Sequence, residues 1–320
     1  MRKSNDSTTI YIDTEHSVFH FCSMNGGDES TVVHRIKSYT GGRLDEEFFK
    51  KFKDAVKEFA NIAPSGSVRK ITVVLPDNAV LTDAVSVPTM KGIGQTKKML
   101  DLKLGGIYCN YKDLRVITNI AKQNKQYSAF SVTAVQKQIV SSVYAACSEN
   151  KMLVDTLTYA SCAAISGAVM INPKLKNESY LFLDIQDVYS RFVFVANGNP
   201  IGFYRLPRGF EFLRKNRILE TVPSKNKEDM FYENFRFFVK WALLLIRENE
   251  KLTDLGKPKF VCVNLPKDLV GLIDAVNRES EENGIIFTCL TNADDKRELP
   301  INPELYGSLF PKKIVSAGKF

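Results

Sequence analysis

The sequence predicts an α/β protein made of two similar halves, with a smaller α/β piece inserted in the first. Three observations carry this reading. The segment Thr9-Ile10-Tyr11-Ile12-Asp13-Thr14-Glu15-His16-Ser17-Val18-Phe19-His20-Phe21 is echoed by Tyr180-Leu181-Phe182-Leu183-Asp184-Ile185-Gln186-Asp187-Val188-Tyr189-Ser190-Arg191-Phe192-Val193-Phe194-Val195. Each is an apolar strand ending on an aspartate, a short polar turn and a second, alternating strand. Each hairpin leads to a third strand, a helix and a continuous apolar run of the kind buried on both faces. Residues 79–152 interrupt that order with strands and helices of their own. Two such hairpins, each opening its own half, predict duplicated domains facing a shared cleft.

A length of 320 residues is enough for two domains with a well-buried core. Hydrophobic residues at 44% and charged residues at 25% exclude fibrous and disordered classes. The net charge of +8 and a pI near 9.0 are compatible with nucleic acid or an anionic membrane face. The basic residues are scattered, however, with short clusters at Lys50-Lys51, Lys97-Lys98 and Lys312-Lys313. No basic stripe with interleaved aromatics is present, so no nucleic-acid partner is expected. Six cysteines at 22, 109, 147, 162, 262 and 289 include no CxxC pair and read as free thiols of a reducing cytosol. His16, His20 and His34 have neither partner cysteines nor helical i, i+4 spacing, and no metal site is expected. The N-terminus has no apolar signal core. The run Trp241-Ala242-Leu243-Leu244-Leu245-Ile246 falls far short of the ~20 residues a membrane span needs. The expectation is a cytoplasmic protein without a span.

Along the chain, Asn25-Gly26-Gly27-Asp28 is turn chemistry and Thr31-Val32-Val33-His34-Arg35-Ile36 a third strand, completing a meander over residues 9–39. Residues 44–63 form an amphipathic helix, with Phe48, Phe52, Val56 and Phe59 on one stripe and Asp45-Glu46-Glu47 in its first turn. Lys70 to Pro76 is a strand buried on both faces. Residues 79–88 read as an edge strand stopped by Pro88, and 91–106 as a helix interrupted by glycines. Strands are expected at 114–118 and 126–131, with Ser131 or Thr133 capping a helix that turns Val135, Ile139, Val143 and Ala146 inward. Small apolar residues from Asp155 to Ile171 predict a helix able to approach another element closely, and Pro173 to Asn177 mark a boundary.

The second half repeats the pattern: a turn at Asn197-Gly198-Asn199 and a strand at 201–206. A helix over 228–250 carries Phe231, Phe235, Phe238, Ala242, Leu245 and Ile246. A strand follows at 259–264, then a helix over 268–282 ended by Asn283-Gly284, and a last strand at 285–290. The domains are drawn as 1–78 (first half of domain 1), 79–152 (insertion), 153–176 (return and linker helix), 177–295 (domain 2, helical part about 211–256) and 296–320 (C-terminal return).

Two meander halves that open on strand-aspartate-turn-strand hairpins resemble the actin-like, ribonuclease-H-like fold. The insertion after the first β-α-β unit is similar to that of the cell-division protein FtsA and the type IV pilus assembly protein PilM. Val73-Val74-Leu75-Pro76-Asp77-Asn78-Ala79-Val80 with Val85-Ser86-Val87-Pro88 resembles PilM, as do Leu153-Val154-Asp155 with the helix after it, and Leu206-Pro207-Arg208-Gly209. The resemblance spans nearly the whole chain, on loose motifs.

In actin-like ATPases each hairpin holds phosphates through backbone N–H groups and needs glycine two residues after the aspartate. Here those positions are Glu15 and Gln186. A carboxylate ~4 Å from a phosphate adds repulsion of about 1–4 kcal/mol. The third loop, normally glycine-rich, reads Asn264-Leu265-Pro266-Lys267-Asp268. The degenerate nucleotide-site positions are therefore Asp13, Thr14, Glu15, Ser17, Asp184, Gln186 and Asp187. The matching aspartates of working relatives position magnesium, whereas Asp13 and Asp184 read equally well as strand terminators. Asp155 falls near the residues that face the attacking water in relatives.

The resemblance implies a cytoplasmic PilM-like scaffold of a type IV pilus or related secretion machine. It would sit at the inner face of the membrane through a PilN-like partner and act as a pseudo-ATPase, with no catalytic residue and no cofactor. Its groove for the partner's tail would involve residues 85–108, with Met90, Ile93, Leu100, Leu104 and Tyr108 as apolar contacts, or those residues close the insertion's own core. The alternative is a functional ATPase holding ATP and magnesium in the cleft. Such a relative, like those of the FtsA type, self-associates into filaments.

Overall fold

The computed structural model describes residues 7–14, 18–24, 31–37, 44–62, 69–186, 188–214, 225–249, 258–265, 271–280 and 284–290. The first half builds a sheet from β1 (Ser7–Asp13), β2 (Val18–Met24), β3 (Thr31–Lys37), β4 (Arg69–Leu75) and β8 (Met152–Tyr159), in the order β3-β2-β1-β4-β8. β1, β2 and β3 are antiparallel, whereas β4 runs parallel to both β1 and β8. Helix α1 (Glu46–Ile62) starts where the Asp45 carboxylate accepts the Phe48 N–H at 2.9 Å. It buries Phe48, Phe52, Val56 and Phe59. Phe19 packs edge-on against Phe48 and Phe52 at 5.5 and 5.4 Å, and Phe21 stacks on Phe59 at 4.5 Å.

The insertion has its own three-stranded antiparallel sheet of β5 (Val80–Pro88), β6 (Leu114–Gln123) and β7 (Tyr127–Gln136), ordered β5-β7-β6. Helix α2 (Ile93–Ile107) covers one face and forms a separate small core with Val85, Val87, Leu100, Leu104, Phe130 and Val132. Helix α3 (Lys137–Ser148) packs elsewhere: Ile139, Val143, Ala146 and Cys147 belong to the core of the first half. Helix α4 (Ala160–Ile171) follows β8 and is anchored by Asp77, whose carboxylate accepts the Ser161 N–H and hydroxyl, each at 2.8 Å.

The described residues from Ile171 onward form a second unit. Its sheet has β9 (Tyr180–Ile185), β10 (Ser190–Ala196), β11 (Asn199–Leu206), β12 (Phe260–Asn264) and β13 (Ile286–Cys289), ordered β11-β10-β9-β12-β13. The order and the parallel or antiparallel sense match the first sheet strand for strand. Helices α5 (Phe210–Arg214), α6 (Lys225–Glu248) and α7 (Gly271–Ser280) complete the unit. Asn277 of α7 bonds both backbone groups of Phe287 at 2.7 and 2.8 Å, blunting the edge of β13.

Two expectations are corrected. Ser131 and Thr133 do not cap a helix. β7 is the central strand and pairs with β5 through Val135 and with β6 through Gln136, so α3 begins at Lys137. Residues 155–159 are not helical either, because parallel pairing with β4 holds them in β8. Asp155 is the bulged residue there, exposed, with Lys70 Nζ at 3.7 Å. The strands expected at 114–118 and 126–131 are longer than predicted. The turn at 25–28 lies outside the described residues, as do 296–320.

All six cysteines are free: Cys22, Cys147, Cys162 and Cys262 are buried, Cys289 is partly buried and Cys109 is exposed. Burial raises the Cys22 thiol to about 11 and Cys147 to about 12, from 9.0. Thiols of the unfolded chain ionise first, so this contribution to stability is complete below pH 9 and is lost as pH rises through 11 to 12. The urea midpoint is expected to fall over that range and to fall less steeply in Cys147→Ala; a flat midpoint in the parent protein overturns this. The Asn197-Gly198 turn has φ 48° and 73°, the left-handed pair of a tight hairpin. A Cβ on Gly198 would collide with the Lys176 carbonyl oxygen. Gly198→Ala is expected to cost at least about 2 kcal/mol in urea unfolding.

Candidate functional site

The second hairpin's aspartate, Asp184, is one of the degenerate nucleotide-site positions expected from the resemblance, and the structure shows what holds it. Asp184 lies on β9, directly opposite Arg191 of β10 and beside Asn264 of β12. It is fully buried, and Arg191 is 1% exposed. Arg191 donates from Nε and Nη2 to Oδ2 at 3.0 and 2.7 Å. Oδ1 accepts from Gln186 Nε2 at 2.8 Å and from Asn264 Nδ2 at 2.9 Å. A carboxylate offers about four lone-pair sites, and four protein N–H bonds occupy them. Of these donors, Gln186 stands two residues after the aspartate, where the resemblance calls for glycine, and Asn264 is the last residue of β12.

The turn is closed as well. The Gln186 N–H donates to the Tyr189 carbonyl at 2.9 Å, and the Gln186 carbonyl accepts from the Phe210 N–H at 2.8 Å. Ser190 Oγ donates to the Arg208 carbonyl at 2.7 Å, fastening the hairpin to the segment that leads into α5. The Tyr189 ring carries the guanidinium of Arg205, from the neighbouring strand β11, at 4.2 Å. Asp187 lies outside the described residues.

The first hairpin differs in register. Asp13 is the last paired residue of β1, opposite Val18, five positions on. Asp184 and its opposite residue Arg191 are seven apart. The two aspartates therefore stand at different depths in their sheets. Asp13 is 8% exposed, and its Oδ2 lies 3.3 Å from His20 Nε2; the His20 ring stacks on Tyr11 at 5.6 Å. Thr14 is half-buried, and Glu15 and Ser17 lie outside the described residues. Among the described residues no group of three or more His, Cys, Asp or Glu side chains is placed to hold a metal ion.

The five residues of the expected tail groove divide. Leu100 and Leu104 are buried in the insertion's own core, and Tyr108 packs against it. Burial, with Asp83 adding to it, raises the Tyr108 phenol to about 12. Met90 and Ile93 are exposed. The face of the small sheet opposite α2 is lined instead by mostly short side chains, with Ala84, Ser131 and Asn119 in one cross-strand row and Thr82, Thr133 and Ile117 in the next; Ser131 and Thr133 on the central strand are buried. Thr133 stands beside the Tyr159 hydroxyl at the end of β8. The Asn119 Nδ2 is buried without a hydrogen-bond partner. Sequence reasoning missed this face, although Ala129, Ser131 and Thr133 alternate with Phe130 and Val132 in the run itself.

Two sheets of identical order, each opening on a hairpin, with a subdomain inserted after the first β-α-β unit, define an actin-like fold. A solved structure titled as the PilM-PilN type IV pilus biogenesis complex is similar to this chain over 96% of both chains, with a TM-score of 0.57 and 15% identity. The cytoplasmic domain of EpsL, an inner-membrane component of the Vibrio cholerae type II secretion system, matches over 97% of this chain and 100% of its own, with a TM-score of 0.49 and 9% identity. The fold is thus PilM-like and actin-like. No family model matches the sequence, and no curated protein matches it.

The buried pair gives a direct test. Arg191→Met leaves Asp184 charged and uncompensated, which is expected to cost about 3–5 kcal/mol in denaturant unfolding. Asp184→Leu combined with Arg191→Met is expected to recover most of that loss. If the double variant is no more stable than the single, the two residues do not act as a pair.

Proposed function

We propose that this chain is a PilM-like adaptor that binds the cytoplasmic tail of a PilN-like inner-membrane partner and does not use ATP. The observation that carries the second part is the Asp184 carboxylate, whose acceptor sites are taken by Arg191, Gln186 and Asn264. Magnesium or a phosphate-bound water would have to displace at least one buried charge-assisted hydrogen bond, worth about 1.5–3 kcal/mol. The closed Gln186 turn supports the same reading, since its N–H is already committed to Tyr189. Titration calorimetry with ATP and magnesium is expected to detect no binding below millimolar concentration; a micromolar dissociation constant would favour the ATPase reading instead.

For the tail, the fold shared with PilM is joined by one feature of this chain, the second face of the insertion's sheet, where Thr82, Ala84, Ile117 and Asn119 of the flanking strands are half-buried. An extended segment laid along those residues would meet a shallow surface of short side chains. A pull-down from solubilised membranes is expected to recover a protein with a single span. Asn119→Ala should weaken that recovery roughly tenfold while leaving the urea midpoint unchanged or raised. Recovery of nucleic acid alone, or of nothing anchored in membrane, counts against the adaptor.

A further inference from the structure

Helix α2 turns Thr96, Leu100 and Leu104 into the small core, one turn apart each. Its opposite side carries Met99, 37% exposed, and Leu102, 72% exposed. With Gln95 and Gly106 they fall at spacings of four, three and four, the a/d seam of a heptad repeat. In that register Lys98 occupies a g position and Lys103 the e position that follows it. Lys103 Nζ also donates to the Ser86 carbonyl at 2.8 Å, which holds its stem along β5. The seam ends at Gly105 and Gly106, where a Cβ would meet nothing within 4 Å.

The charge around the seam is one-sided. Residues 80–136 hold eight Lys and Arg against three Asp and Glu. Two of those acids are engaged internally: Asp83 accepts the Ala84 N–H and Asp101 the Tyr111 hydroxyl.

We propose that the outer face of α2 docks an amphipathic helix of a partner protein, with apolar residues over Met99 and Leu102 and acidic residues facing Lys98 and Lys103. Positions e and g decide which helix pairs with which, and lysine at both demands carboxylates across the seam. A second copy of this helix is repelled, because parallel and antiparallel pairings alike set lysine against lysine. A bilayer fits less well, since two large apolar side chains bury little area in an interface. The two terminal glycines let a partner backbone approach closely. This surface lies across the small sheet from the face assigned to the membrane partner's tail, and it stands independently of that assignment.

The test uses the full chain and a fluorescein-labelled three-heptad peptide with Leu at a and d and Glu at e and g, read by anisotropy at low salt. A matched peptide with Lys at e and g serves as comparison. The Glu peptide is expected to bind at least about tenfold more tightly than the Lys peptide. Leu102→Asp should reduce that binding about tenfold, and Lys98→Glu with Lys103→Glu should reverse the preference between peptides. All three positions are exposed, and circular dichroism confirms that each variant folds. Equal binding of the two peptides, no binding of either, or insensitivity to Leu102→Asp overturns the proposal. So does flotation on phosphatidylglycerol vesicles that Leu102→Asp abolishes while the peptides are not distinguished, which would make the surface a membrane contact.

Discussion

One buried carboxylate fastens the second sheet where three strands meet. Asp184 of β9 sits between Arg191 of β10 and Asn264 of β12, with no solvent to stabilise its charge. A group in that position persists only if its lone pairs are met by protein donors, and a guanidinium and two amides meet them. That structural demand consumes the group. The aspartate completes its own sheet, and the adjoining turn has Gln186 folded back to serve it.

The two halves share a strand order but not a use for their hairpins. In the first, apolar packing does the organising: Phe19 and Phe21 meet the phenylalanine stripe of α1, and Asp13 at the rim is left with His20 beside it. In the second, the chain runs one residue further before turning, drawing the aspartate into the sheet. A shift of that size changes which side chain faces which neighbour along the whole pair. The repeat is accordingly one of topology rather than of site.

The insertion has the opposite economy. Its sheet is too small to bury two faces with large side chains, so α2 and aromatic residues cover one and mostly short side chains line the other. Placing Leu100 and Leu104 in that core removes them from any partner surface. It also turns Met99, Leu102 and the lysines outward, so packing and exposed chemistry come from one helix in one register.

Much of the fold was legible in the sequence. The α1 stripe, the doubly buried β4, the Asn197-Gly198 turn and the α6 stripe all follow from side-chain period and turn chemistry, which are local properties. Two boundaries were not legible. Ser131 and Thr133 have the chemistry of helix caps, and residues 155–159 run straight into the small apolar helix that follows, yet strand pairing with distant partners claimed both. The candidate site was half legible: the aspartates and the missing glycines stand out, but Arg191 reads only as a charge inside an apolar strand. The duplicated pattern, with Glu15 and Gln186 two residues after the aspartates, is a property of the sequence alone, because it is written in neighbouring residues. What only the tertiary structure decided was the fate of Asp184. Its partners lie seven residues away across a hairpin and eighty residues away across a parallel pair, and only the register of three strands brings them together.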